Sequence, residues 1–285
     1  MSMEFLVPIT GSFARPAAEN PTVAMVNAAY RDLGLDWTYI NCEVAPDSLP
    51  QAVEGARAMG WAGFNCSIPH KVEVIKYLDR LGESASLIGA VNTVVIKDGV
   101  LTGENTDGKG FVEGVRQVTS VEGKRVLIFG AGGAAKAVSV ELALAGVSNI
   151  QVVNRSEKRG QELVDLINAE TEASAEFVVW DRRVDVPENT DIVINATSVG
   201  LYPDVDEQLN MNPDTLLSHM VVADGIHNPP RTHLLKAATS RNCRTVDGLT
   251  MLVNQGILGI KCWTGKDASE AVMRETLNKV LHHCD

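Results

Sequence analysis

Arg125-Val-Leu-Ile-Phe-Gly-Ala-Gly-Gly-Ala-Ala-Lys-Ala137 is the stretch on which the reading of this chain turns. A short apolar run is followed at once by glycines and then by small residues, which reads as a buried strand turning sharply into a helix. In such a turn Gly130 permits the tight bend, and the next glycine lets the backbone approach an anion held at the helix N-terminus. Ala135 takes the third fingerprint position, where a small residue keeps helix and strand close. Gly130, Ala131, Gly132, Gly133 and Ala134 are therefore candidates for cradling the pyrophosphate of a dinucleotide.

The end of the following strand, Asn149-Ile-Gln-Val-Val153, indicates which dinucleotide. An NAD site wants Asp or Glu about 20 residues on, to hold the ribose 2′-hydroxyl. Here stands Asn154-Arg-Ser-Glu-Lys-Arg159. Arg155, Arg159 and the Ser156 hydroxyl suit a 2′-phosphate, which arginine grips through its planar fork. A helix start otherwise favours acids over arginines. NADP is the expected cofactor. Asp191-Ile-Val-Ile-Asn195 is another strand, and Asn195-Ala-Thr-Ser-Val-Gly200, with Thr197, is a second backbone loop at the edge where ligands bind in such sheets. Met220-Val-Val-Ala-Asp224 adds a further strand. This strand–helix–strand rhythm predicts a parallel, helix-covered, doubly wound sheet.

The preceding residues alternate strand and helix as well. Phe5-Leu-Val-Pro-Ile9 reads as a first strand, Thr22 to Leu33 as a helix and Trp37 to Val44 as a strand. Ser48 to Met59 is helical and Ala62 to Ser67 a short strand. Ala90 to Lys97, Asp98-Gly99 and Val100-Leu-Thr102 form a hairpin signal. After Val246 the chain turns helical, with Met251 to Trp263 and Ala268 to Leu281 as candidates. The seams fall near Asp107 and near Asp247, dividing the chain into 1–106, 107–246 and 247–285, the last returning to the first domain.

The whole is an α/β protein whose 285 residues suit two domains. A net charge of −11 argues against nucleic acid as a partner, since that requires a basic face. No apolar run approaches the roughly 20 residues of a membrane span, and the start lacks a signal peptide's features. Cys42, Cys66, Cys243, Cys262 and Cys284 are scattered and read as reduced thiols of a cytoplasmic protein. No Cys/His cluster has metal-ligand spacing; His282-His-Cys284 comes nearest and reads as a tail. A small-molecule substrate is expected, bound by a monomer or homodimer.

Two polar segments carry the chemistry: Gly63-Phe-Asn-Cys-Ser-Ile-Pro-His-Lys71 and Glu104-Asn-Thr-Asp-Gly-Lys-Gly110. Oxidising an alcohol requires removing a hydroxyl proton while hydride leaves the same carbon. Lys71 can take the proton, and the Asp107 carboxylate can orient the lysine. Alone, Asp107 also fits a helix N-cap. Asn65, Ser67, Asn92, Asn105 and Thr106 surround these two with hydrogen-bonding side chains, which suits a polyhydroxylated ligand.

Taken together these segments resemble the shikimate dehydrogenase family, which includes quinate dehydrogenases. The resemblance runs through Gly63–Lys71, Ile88-Gly-Ala-Val-Asn-Thr93, Asn105-Thr-Asp-Gly108, Gly130–Ala137, Asn154-Arg-Ser156, Asn195–Gly200, Asp247–Gly256 and Trp263-Thr-Gly265. It implies a substrate domain, a Rossmann-type NADP domain and reversible oxidation of shikimate to 3-dehydroshikimate. It places Lys71 as acid/base beside Asp107, puts Ser67, Asn92, Asp107 and Gln255 on the substrate's hydroxyls, and puts Arg155 and Ser156 on the 2′-phosphate. Gly248, in the Asp247–Gly256 segment, joins the cofactor candidates.

The chain departs from that pattern at two places. The family's usual Ser-x-Ser, which binds the substrate carboxylate, aligns with Asn20 and Thr22, with Arg15 nearby. Tyrosine usually stands where this chain has His227. These changes surround the pocket and leave Lys71 and Asp107 intact, so the chemistry is expected to persist while the preferred substrate shifts. Quinate or another cyclic polyol acid is the alternative substrate, and a non-catalytic cofactor-binding regulator the alternative class.

Overall fold

The computed structural model describes residues 6–281. It divides into two compact units, one holding the residues up to Thr106 with those from Gln255 onward, the other Asp107–Asn254.

The first unit opens with β1 (Ile9–Ala14), α1 (Thr22–Asp32), β2 (Thr38–Glu43), α2 (Leu49–Ala58), β3 (Gly63–Cys66) and β4 (Arg80–Leu81). It continues through α3 (Glu83–Ile88), β5 (Thr93–Lys97) and β6 (Val100–Glu104). Its sheet runs β2-β1-β3-β5-β6-β4, with β2, β1 and β3 mutually parallel and β5 antiparallel to both β3 and β6. Asp98 and Gly99 both take positive φ, 52° and 75°, as the predicted two-residue hairpin turn requires.

The first strand lies later than the apolar run Phe5–Ile9 suggested. Phe5 is outside the described residues, Leu6 is 86 % exposed, and Pro8 has no N–H to give a ladder. The actual β1 reads Ile-Thr-Gly-Ser-Phe-Ala and is buried at five of six positions. Its polar members are satisfied internally: Thr10 Oγ1 lies 2.8 Å from Tyr30 Oη, and Ser12 Oγ donates to Asn41 Oδ1 at 2.9 Å. Gly11 is required there, because a Cβ would stand 2.6 Å from the Ile40 carbonyl oxygen.

The second unit runs α4 (Thr106–Arg116), β7 (Arg125–Phe129), α5 (Gly133–Leu144), β8 (Asn149–Asn154) and α6 (Glu157–Glu170). Then follow β9 (Ser174–Val179), β10 (Ile192–Asn195), β11 (Val221–Asp224), α7 (His233–Ser240) and β12 (Arg244–Val246). Two helices follow, α8 (Gly248–Thr264), whose first turns belong to this unit, and α9 (Glu270–Leu281), which belongs to the first unit. All six strands of this sheet are parallel, in the order β12-β11-β10-β7-β8-β9. The order reverses between β7 and β10, so the crevice for a ligand opens at their carboxyl ends.

Alternating side chains of these strands feed two separate cores. Val126, Ile128, Ile192 and Ile194 join Phe111 and Val115 of α4 and Val138 and Leu142 of α5. Leu127, Phe129 and Val193 join Trp180, Met220, Leu234 and Leu235 on the other face. Burial on both faces is why these strands read as unbroken apolar runs.

The division falls inside α8, between Asn254 and Gln255. Beyond it, α9 packs on α1, and Trp263 Nε1 donates to the Val94 carbonyl at 3.0 Å. Gly63 leaves room for that indole. Among the described residues no helix is long and apolar enough to cross a membrane, and no group of three or more His, Cys, Asp or Glu could hold a metal ion. Cys42, Cys66, Cys243 and Cys262 are not in disulfides, and Cys262 is exposed. His282, His283 and Cys284 lie outside the described residues.

Candidate active site

In the first unit the polar candidates gather where β3 ends and β5 and α4 begin. Tyr39 Oη donates to Asn65 Oδ1 at 2.7 Å, and Asn65 Nδ2 donates to Thr93 Oγ1 at 3.0 Å. Thr93 and Thr106 hydroxyls meet at 3.0 Å. Asn92, 3 % exposed, completes the chain of contacts: its Oδ1 accepts the Thr106 backbone N–H at 2.7 Å and its Nδ2 donates to Thr106 Oγ1 at 3.0 Å. Asn105 Nδ2 donates to the Ala90 carbonyl at 3.0 Å. The Asn92 amide thus serves the first turn of α4, satisfying a donor that a helix start leaves orphaned.

Lys71 is half-buried at the end of a short segment pinned by main-chain bonds. Cys66 N–H donates to Asn92 O, Ser67 N–H to Phe13 O, His70 N–H to Ser67 O, and Val91 N–H to Lys71 O at 2.7 Å. The ring of His70, fully buried, meets the Val44 carbonyl at 2.9 Å. Burial pushes the Cys66 thiol well above its ordinary range, and the positive charge of Lys71 acts against that shift.

The altered segment is internally bound. Asn20 Oδ1 accepts the Thr22 N–H at 3.1 Å and Asn20 Nδ2 donates to Ser12 Oγ at 3.3 Å. Thr22 is 7 % exposed. Asn41 Nδ2 donates to the Asn20 carbonyl at 2.9 Å, and the Glu43 carboxylate accepts the Ala17 N–H at 2.6 Å. Arg15 is exposed. Gln255 is 7 % exposed within α8.

In the second unit Gly130 sits directly after β7 with φ +112°, and a Cβ on it would lie 2.8 Å from the Ala196 carbonyl oxygen. Gly132 and Gly133 are different: a Cβ on either would meet nothing within 4 Å. They are exposed, as is Ala134, while Ala131 is half-buried. Gly132 begins α5 with no side chain capping it, so the first-turn amides are left for an outside acceptor. This open cradle fits a pyrophosphate.

At the end of β8, Asn154 Nδ2 donates to the Ser156 carbonyl at 2.8 Å, and Ser156 Oγ caps α6 by accepting the Arg159 N–H at 3.4 Å. Arg155 and Arg159 are exposed, and among the described residues neither forms an ion pair. Two uncommitted guanidiniums beside a serine hydroxyl fit a 2′-phosphate. Thr197 sits in a tight loop in which Asn195 Oδ1 accepts both its N–H, at 3.0 Å, and its hydroxyl, at 2.7 Å.

Sequence reasoning missed Asp224, the last residue of β11. It is fully buried, and its carboxylate accepts from Asn195 Nδ2, Ile226 N–H and, at 2.7 Å, Thr232 Oγ1. Burial pushes it up to about 6, against the pull of those hydrogen bonds. Asp224 thereby ties down both ends of the loop carrying His227. The only signal was an acid closing an apolar strand. Burial also pushes the His227 imidazole below its ordinary range. Gly248 abuts the same loop, since a Cβ there would stand 2.1 Å from the Ile226 carbonyl oxygen.

Comparison with known proteins agrees over the length of the chain. The shikimate dehydrogenase substrate binding domain matches residues 13–94, shikimate / quinate 5-dehydrogenase matches 113–250, and the shikimate 5′-dehydrogenase C-terminal domain matches 248–277. A shikimate dehydrogenase (NADP(+)) from Desulforamulus reducens is 41 % identical, covering 95 % of this chain and 94 % of that protein. Among solved structures, ligand-free 5-ketofructose reductase of Gluconobacter sp. strain CHM43 is 51 % identical with a TM-score of 0.95, covering 97 % of this chain and 100 % of that one. Shikimate 5-dehydrogenase from Listeria monocytogenes, in complex with shikimate and NAD, is 35 % identical with a TM-score of 0.90, covering 97 % and 99 %.

Proposed function

The chain belongs to the shikimate dehydrogenase family, and from that premise we propose that it catalyses the reversible NADP-dependent oxidation of shikimate to 3-dehydroshikimate. The full-length match to a shikimate dehydrogenase (NADP(+)) carries this reading. When bound, NADP supplies the acceptor for the hydride that leaves the carbinol carbon.

The residues of this chain handle binding and the proton. Lys71 Nζ takes the hydroxyl proton as the carbinol C–H electron pair departs with its hydrogen, and the C–O bond becomes a carbonyl. In reverse the Lys71 ammonium returns that proton to the oxygen. Asp107 orients the ammonium. Ser67, Asn92, Gln255 and His227 are the candidates for holding ring hydroxyls, with His227 a neutral imidazole at pH 7 because its burial disfavours the charged form. Gly130, Ala131, Gly132, Gly133 and Ala134 would hold the pyrophosphate at α5. Arg155, Ser156 and Arg159, with Asn154 bracing their turn, would hold the 2′-phosphate, and Thr197 and Gly248 shape the loops alongside.

A second reading has a specific observation behind it. Asn20 makes one internal bond through its amide oxygen and one through its nitrogen, and the Glu43 carboxylate, which accepts from Ala17 N–H in the same segment, repels an anion. A neutral polyhydroxy ketone, such as the 5-ketofructose on which the Gluconobacter relative acts, needs no carboxylate clamp. Steady-state assays of NADP with shikimate or quinate, and of NADPH with 5-ketofructose, separate the readings. Higher kcat/KM with shikimate supports the first, and turnover restricted to the neutral ketone supports the second. Absence of turnover with every pair would remove both.

A further inference from the structure

Within the second unit, α4 crosses α5 at one backbone position. A Cβ on Gly108 would stand 2.3 Å from the Ala137 carbonyl oxygen and 2.7 Å from Glu141 Cγ. The first obstacle is backbone, so the two helices touch there without any side chain between them. Ala137 is 2 % exposed and Glu141 only 8 %. A carboxylate this deeply buried is uncommon in a cofactor helix and has no part in the glycine loop, which lies about two turns away. Its stem rests against the first turn of α4. That turn is the positive end of the helix dipole, where a carboxylate is stabilised and where amide groups call for acceptors.

We propose that Glu141, with the Gly108–Ala137 contact, is a positioning device for Asp107. The helix whose N-terminus takes the dinucleotide pyrophosphate fixes, about one turn along at Ala137 and two at Glu141, the turn that carries the carboxylate. One rigid element therefore sets both the cofactor end and Asp107. Reacting groups must be held to well within an ångström, and a misplacement of about 1 Å costs on the order of 100-fold in rate. Disturbing this crossing should slow the chemical step without loosening the cofactor. The inference rests on the reading in which Asp107 partners Lys71.

The test compares Glu141→Leu, which fills the space without accepting a hydrogen bond, with Glu141→Gln, which keeps an acceptor. Gly108→Ala and Asp107→Asn are made alongside. For each, kcat and KM are measured, together with NADP affinity by fluorescence and the thermal midpoint. The expected result for E141L is a kcat reduced roughly 10-fold or more, with KM and NADP affinity within about two-fold of the parent. E141Q should regain most of that loss. If D107N abolishes turnover while E141L and G108A keep the parent kcat, the positioning role is overturned. A joint fall of kcat, cofactor affinity and thermal midpoint in E141L overturns it too, marking Glu141 as general packing. Should D107N itself retain full turnover, the fault lies with the role given to Asp107.

Discussion

The Oδ1 of Asn92 accepts the backbone N–H of Thr106 at 2.7 Å, which makes a residue at the head of β5 the cap of α4. Asp107 is the next residue along. Replacing Asn92 by Ala strands that amide, while the buried Thr93 and Thr106 hydroxyls keep each other as partners. A buried donor left unmet costs about 1–3 kcal/mol, so N92A should lose that much in urea unfolding. Turnover should fall with it, because Asp107 loses its fixed start.

The exposed Arg155 is assigned to the 2′-phosphate, which NAD lacks. A charge-assisted hydrogen bond contributes about 1.5–3 kcal/mol, and about 1.4 kcal/mol is a factor of ten. Titration calorimetry of R155A should therefore show NADP affinity falling by roughly 10-fold or more, with NAD affinity unchanged. Equal losses for both cofactors would contradict the assignment.

Asp224 links stability to pH. Its folded value of about 6 lies above the ordinary carboxylate value of 3.8, so the folded state holds the proton more tightly. Stability from this group is complete below about pH 4 and is lost as pH rises toward 6. The shift corresponds to about 3 kcal/mol, as an order of magnitude. Asp79 and Asp191 are shifted the other way and gain stability over the acidic range, so a difference is what must be measured. The unfolding free energy of the parent minus that of D224N should decline between pH 4 and 6. A flat difference would show that Asp224 is not held protonated.

Gly248 abuts the Ile226 carbonyl with no room for a side chain. Overpacking of this kind costs typically about 1–3 kcal/mol. G248A should push back the loop carrying His227, and so raise substrate KM more than it weakens NADP binding. Comparing the two constants in one set of initial-rate measurements checks this.

Much of the second unit was legible because its strands are buried on both faces. Runs such as Val126–Phe129 and Ile192–Asn195 have few other readings, and the Gly130–Gly133 loop follows directly. The first strand was misplaced because β1 hides its burial behind Thr10 and Ser12, whose partners Tyr30 and Asn41 come from other elements. The same kind of pairing concealed the Asn92 cap, the Asp224 brace and the α4–α5 crossing at Gly108. Each depends on which elements meet, and local periodicity does not carry that. The residues proposed for the proton and the phosphate stood out because their types are costly without a purpose, as with two arginines at a helix start.

Everything proposed for this site turns on Lys71 carrying the proton in an NADP-dependent oxidation. The most direct measurement follows the appearance of NADPH from NADP and shikimate, with 5-ketofructose reduction followed in parallel, for the parent and K71A. The parent should turn over, and K71A should lose roughly 100-fold or more while keeping its NADP affinity. Parent-level turnover in K71A would contradict it.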